Sequence, residues 1–236
     1  GGRGVKRFEH TAMTEVAPVL SVRDLHFPAL PPMTFDIRRG EIAFLRDENY
    51  NTGRRLHECF LGDRGWTSGF FRLNGRLYQP GDLGRVIGSE IGIQIERPDR
   101  PGGVLFDNMT ALDNLCTSLI PKAGQHIIRK KIVSSILSEA LRWFPKEMLL
   151  QPLSSWSYPE RLRFSYYRWY LLNPRLLICF FPFAGQESTH HKMIIDLLVL
   201  CAQRGMAVWI ISSGIDAICE KTDNEEFLRR LHYLNK

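Results

Sequence analysis

Residues 168–182 read RWYLLNPRLLICFFP. The stretch contains a helix end, a break and a strand. Asn173-Pro174 stops a helix arriving from the N-terminal side, because the residue before a proline is pushed out of the α region and the proline has no N–H to give. Positions 176–181 then run apolar without alternation. A strand with one wet face alternates, whereas one covered on both faces does not, so this strand belongs in the centre of a parallel sheet.

The pattern repeats on both sides. MAVWIISS at 206–213 is a second buried strand, with a helix over 189–203 before it and Gly205 as the stop. The spacing predicts a long helix over 157–172 and another over 126–144. Strand and helix alternate through the last third, which argues an α/β fold with a parallel sheet. The N-terminal half reads differently. VLSVRDLHF (19–27) is an alternating strand closed by PALPP, and MTFDIRRGEIAFL (33–45) is two short strands about Arg39-Gly40. RDENYNTG (46–53) reads as a polar loop, RRLHECFLG (54–62) as a helix ended by glycine, and SGFFRLNGRLYQ (68–79) as a hairpin with Asn-Gly at its tip. SEIGIQIE (89–96) is one more strand. Residues 1–17 are polar and without period, and read as a linker or tag remnant ahead of a domain over 18–236.

Composition restricts the function classes. The chain has 236 residues, 44% hydrophobic and 24% charged, which suits one large core. A net charge of +6 is too diffuse to mark a nucleic-acid binder. Five scattered cysteines with no CxxC argue against structural zinc and for reduced thiols in a cytosolic protein. No apolar run reaches the length of a membrane span, and no signal peptide is expected. The start at Gly1-Gly2 reads as a tag scar or the edge of an excised domain.

Four segments in order resemble the ATP-binding cassette of ABC transporters, most closely the second cassette of the two-cassette ATPases that drive bacterial sugar importers. They are FDIRRGEI (35–42), IGIQIERPDRPGGVLFDNMTALDNL (91–115), RWYLLNPRLLICFFP (168–182) and VWIISSGIDAI (208–218). The resemblance covers about 19–223. It implies an ABC-type P-loop NTPase-like α/β core with a parallel sheet, an antiparallel β part and a small helical subdomain at about 106–165.

The resemblance also says where ATP chemistry would sit, and most of those positions depart from it. A phosphate loop works through backbone N–H groups at a helix N-terminus, glycines that let the chain wrap the phosphates, and a lysine. The matching segment offers Asp47 for the early glycine, then Tyr50, Asn51 and Thr52; only Gly53 remains, followed by Arg54 and Arg55 rather than lysine. Asp47 and Glu48 put negative charge where a triphosphate would lie, although Arg54 or Arg55 can attract an anion. The Walker B strand of the family ends in Asp-Glu, for the metal shell and the attacking water. Here Phe180 and Phe181 stand there, with Pro182 following as in the family. The family signature corresponds to WSYPE (156–160): Ser157 is kept, Tyr158 adds bulk, Pro159 removes a donor, and Ser157 with Glu160 reads as a capping box. The switch position is Ser213. The acid of the subfamily's Glu-Asp-Arg stretch is Pro98, before Asp99 and Arg100. Phe27 is the nearest candidate to stack an adenine, though a strand phenylalanine reads first as core.

Other groupings read more plainly as structure. His190 and His191 lack a third metal ligand. Arg161, Arg163, Arg168 and Arg175 interleave with Tyr166, Tyr167 and Trp169, as a basic aromatic surface for single strands would, but a partly buried helix face explains them as well. Arg129-Lys130-Lys131 reads as solvated, and no nucleophile motif groups Ser, His and Asp. The expectation is a pseudo-ATPase without a catalytic residue, cofactor or metal, with ATP and Mg²⁺ binding in doubt. It would be cytoplasmic and partnered by another cassette or a membrane permease. The rivals are a divergent importer ATPase that still binds ATP, and a regulator that binds another ligand or nucleic acid.

Overall fold

The computed structural model describes residues 16–62, 65–95, 105–119 and 126–235, with backbone alone for 126–129. Its centre is a five-stranded sheet of β3 (Ile42–Arg46), β6 (Ile91–Ile95), β7 (Leu176–Phe180), β8 (Ala207–Ser212) and β9 (Leu231–Tyr233), in the order β6-β7-β8-β3-β9. All of its pairings are parallel. The apolar runs of β7 and β8 have their physical reason here: every residue of both strands is buried. Leu176, Ile178, Phe180, Trp209 and Ile211 face one core, while Leu177, Cys179, Val208 and Ile210 face another.

The first core is closed by an antiparallel sheet of β1 (Leu20–His26), β2 (Met33–Ile37), β4 (Ser68–Leu73) and β5 (Arg76–Tyr78), together with helix α1 (Asn51–Leu61). Its hairpin turns at Asn74 and Gly75, both at positive φ, as the Asn-Gly pair predicts. Phe27 lies in this core at 1% exposure, so it cannot present a face to an adenine. The second core is covered by α5 (Tyr158–Leu172), α6 (Ser188–Gln203) and α8 (Glu225–Arg230). α5 ends at Asn173 in a left-handed conformation, just before Pro174.

A third core belongs to helices: α2 (Ala111–Leu119), α3 (His126–Ala140), the short α4 (Lys146–Leu149) and the inner half of α5. The helical layer therefore runs past residue 165, because Tyr167 packs with Phe144 and Phe164 while Tyr166 of the same helix belongs to the sheet. Gln94 of β6 fastens α5 in place: its amide N–H donates to Ser165 Oγ at 3.0 Å and its carbonyl accepts from Trp169 Nε1 at 2.8 Å. Elements beyond those expected are α7 (Asp216–Lys221), α8, the edge strand β9 and a 3₁₀ turn over Pro80–Arg85. The expected linker lies outside the described residues except at its end. Among the described residues no helix is long and apolar enough to cross a membrane.

Candidate functional site

The C-terminal ends of β7, β8 and β3 lie side by side, the edge where open α/β sheets place their ligands. The sheet order thus gathers Phe180 and Phe181, Ser212 and Ser213, and the segment that starts at Asp47. The Asp47 N–H donates to Ser212 O at 2.8 Å, which fastens the loop to β8. Ser213 is half-buried beside this bond.

Helix α1 begins at Asn51, three residues ahead of the helix read from the sequence. The cause is Asp47. Its Oδ2 accepts from the Gly53 N–H at 2.7 Å, and its Oδ1 lies 3.3 Å from the Thr52 N–H. Tyr50, at φ 59°, bends the chain back so that these groups face the carboxylate. The first N–H groups of a helix have no partner inside it and carry partial positive charge, so a carboxylate is a favourable guest there. Asp47 is 6% exposed. No ion pair to it exists among the described residues: Arg46 pairs with Glu48 at 3.3 Å and Asp216 at 3.0 Å, and Arg55 with Glu58 at 3.6 Å.

Phe180 and Phe181 take separate paths. Phe180 is the last strand residue, 4% exposed, with its ring 5.5 Å from His57. Phe181 is not a strand end in the core as expected. It turns out of the strand at φ 51° and stays half-buried, held by its N–H to Ile211 O at 2.8 Å and a ring contact with Tyr50 at 4.4 Å. A left-handed non-glycine costs about 1–2 kcal/mol, so the surroundings must hold it there. Its ring lies on Gly53: a Cβ at Gly53 would be 2.8 Å from Phe181 Cε2 and 3.2 Å from Asp47 Oδ2. A cavity of about 370 Å³ remains beside these rings, lined by Tyr50, Arg54, His57, Ile95, Phe180 and Phe181 among others. Arg54 is exposed at its rim.

The segment 157–160 forms a second cluster. Ser157 is exposed at the N-cap of α5, and its N–H and hydroxyl donate to Glu160 at 3.3 and 2.9 Å. Pro159 is exposed at the second helical position. The Tyr158 hydroxyl accepts from Gln186 Nε2 at 2.6 Å, and its ring lies 5.4 Å from His190.

The suspected basic aromatic surface does not assemble. Tyr166, Tyr167, Arg168 and Trp169 are buried, and Arg161 is engaged by Asp107 at 2.9 Å. Arg168 lies over the Trp169 ring at 4.5 Å, and burial brings its guanidinium down to about 10. Among the described residues no group of three His, Cys, Asp or Glu could hold a metal. Pro98, Asp99 and Arg100 lie outside the described residues. Sequence reasoning missed Asn235, which accepts from the Arg46 N–H at 2.8 Å and donates to Arg46 O at 3.1 Å, tying the C-terminal segment to the loop's entry. It also missed the cap role of Asp47; the signal available was an Asp a few residues before a helix.

With this geometry in view, solved structures give the fold. The cbiO1 protein of Clostridium perfringens, part of the ABC transporter complex cbiONQ, superposes with a TM-score of 0.71 at 20% identity, covering 92% of this chain and 85% of that one. A nucleotide-free cassette from an ABC transporter gives 0.66 at 14% identity, with coverage of 92% and 88%. The chain has the fold of ABC transporter ATP-binding cassettes. Among sequences, a putative ribose/galactose/methyl galactoside import ATP-binding protein of Pseudomonas syringae pv. tomato is 25% identical over 87% of this chain and 39% of its own length. Its Pseudomonas fluorescens counterpart is 26% identical over 87% and 40%. The chain therefore spans about two fifths of the length of the curated relatives it matches. No protein-family model matches it.

Proposed function

We propose that this cassette is a catalytically inactive relative of the sugar-importer ATPases. It would work on the cytoplasmic side of the membrane as a regulatory or scaffold partner of another cassette or a permease. The observation that carries this reading is the Phe181 ring lying on Gly53, next to an Asp47 carboxylate that already accepts from the Thr52 and Gly53 N–H groups at the helix start. Mg-ATP does not fit these residues. A triphosphate would meet a carboxylate, and a magnesium ion would meet Phe180 and Phe181, which offer it no oxygen.

A rival reading, a divergent importer ATPase, draws on the exposed Arg54 at the cavity rim. Calorimetric titration with Mg-ATP and a phosphate-release assay separate the two. The expected result is no saturable heat and no turnover above a blank. Turnover that survives repurification and disappears on changing Arg54 or Arg55 would establish the rival.

A further inference from the structure

We propose that the cleft between α6 and α7 is a binding site for a small organic anion, a carboxylate on a compact apolar body. The cleft shares no lining residue with the cavity beside Phe181, so the proposal stands whether or not that region binds ATP. Its volume is about 290 Å³. Ligand sites typically start at roughly 300 Å³, so a ligand here must be small. One wall is apolar: Ile195 of α6, 1% exposed, with Ala217 and Ile218 of α7. The polar groups fall into two sets. In the first, charge is already balanced: Lys192 pairs with Asp223 at 3.2 Å and Asp196 at 3.4 Å, and Asn224 donates to Asp196 at 2.8 Å. The second is left over. Lys221 is exposed and has no ion pair among the described residues. His191 lines the cleft with its Nε2 buried and without a hydrogen-bond partner among the described residues, its ring edge-on to Phe183 at 5.6 Å.

Buried polar atoms in folded proteins are nearly always partnered, so an orphaned one beside a cavity points to what fills the cavity. The leftover groups here are an ammonium and an imidazole nitrogen, and the partner that suits both is an anionic oxygen. The wall opposite sets the rest of the ligand. An inorganic anion would leave Ile195 and Ile218 uncovered, and a neutral apolar molecule would leave Lys221 and His191 as they are. The site also has a mechanical consequence. α7 buries none of its residues, and its ties to the sheet are the Asp216–Arg46 bridge at 3.0 Å and the Cys219–Tyr233 contact at 3.9 Å. A ligand packed between α6 and α7 would hold α7 in place and, through Asp216, the Arg46 end of β3.

The test is an amide NMR titration of the whole chain with sodium benzoate and with sodium hexanoate, beside benzyl alcohol as the neutral counterpart and sodium chloride at matched ionic strength. At least one carboxylate is expected to saturate, with a dissociation constant on the order of 1 mM for so few atoms, and to move the signals of α6 and α7. Lys221→Gln is expected to weaken that binding about two- to fivefold, the size of an exposed charge contact. Ala217→Leu, which adds bulk to the apolar wall at an exposed position, is expected to abolish it. Both changes lie on the surface, and unchanged amide signals away from the cleft confirm that each variant is folded. Failure of both carboxylates to saturate overturns the proposal. So does benzyl alcohol binding as tightly as benzoate, a Lys221→Gln chain that binds as the parent does, or a response that maps outside α6 and α7.

Discussion

At the scale of one residue, Gly53 is held by packing: its place leaves no room for a methyl beside the Phe181 ring. Gly→Ala inside a helix normally stabilises by about 0.5–1 kcal/mol. Here the sign should reverse, because the new methyl meets the Phe181 ring at 2.8 Å. Gly53→Ala is expected to lose about 1–3 kcal/mol, as overpacking does. Adding Phe181→Ala should recover part of that loss, giving a non-additive pair in denaturant melts. An additive pair would mean that the ring is not what excludes the methyl. Phe180 and Phe181 should also part company. Phe180→Asp places a carboxylate at a 4% exposed strand end and is expected to cost at least the roughly 3–5 kcal/mol of a buried Phe→Ala change. Phe181→Glu, at a half-buried position, should cost less. The double change should melt lower than either and still release no phosphate from ATP, since the lysine and the glycines remain absent.

At the scale of elements, the edge strand β9 pairs with β3 from Leu231 to Tyr233, and Asn235 continues that edge with two side-chain bonds to Arg46. Asn235→Ala is expected to lower stability by about 1 kcal/mol, in line with exposed hydrogen bonds. It should also speed hydrogen exchange at the Arg46 amide, which no effect remote from β3 would do. β9 was invisible in the sequence because its three residues are half-buried or exposed and lack the apolar run that gives away β7 and β8. Those two were legible because burial on both faces leaves no place for a polar residue. The helix at 54–62 reads three residues short because Asn51, Thr52 and Gly53 read as loop residues until Asp47 is seen accepting from the Thr52 and Gly53 N–H groups. The clustering of 47–55, 180–181 and 213 followed from chemistry transferred by resemblance. The ring of Phe181 on Gly53 did not, since it depends on a backbone turn that no residue type announces.

At the scale of the whole molecule, α5 contributes to both the sheet core and the helical core, and Gln94 bolts it to β6. Heating should therefore give one transition with equal calorimetric and van't Hoff enthalpies, and two resolved transitions would separate the helical layer as its own unit. Mg-ATP should not change the sedimentation of the protein. The N-terminus of α5 carries Pro159 without an N–H and Tyr158 engaged with Gln186, so neither is arranged to close on a nucleotide held by a second copy. A monomer-to-dimer shift on adding nucleotide would contradict this, whereas association without nucleotide would not. The contact between Phe181 and Gly53 has a consequence for descent. Natural selection here can keep the glycine through its aromatic neighbour, so across a lineage of such chains the two positions should change together, a glycine being kept wherever the ring is.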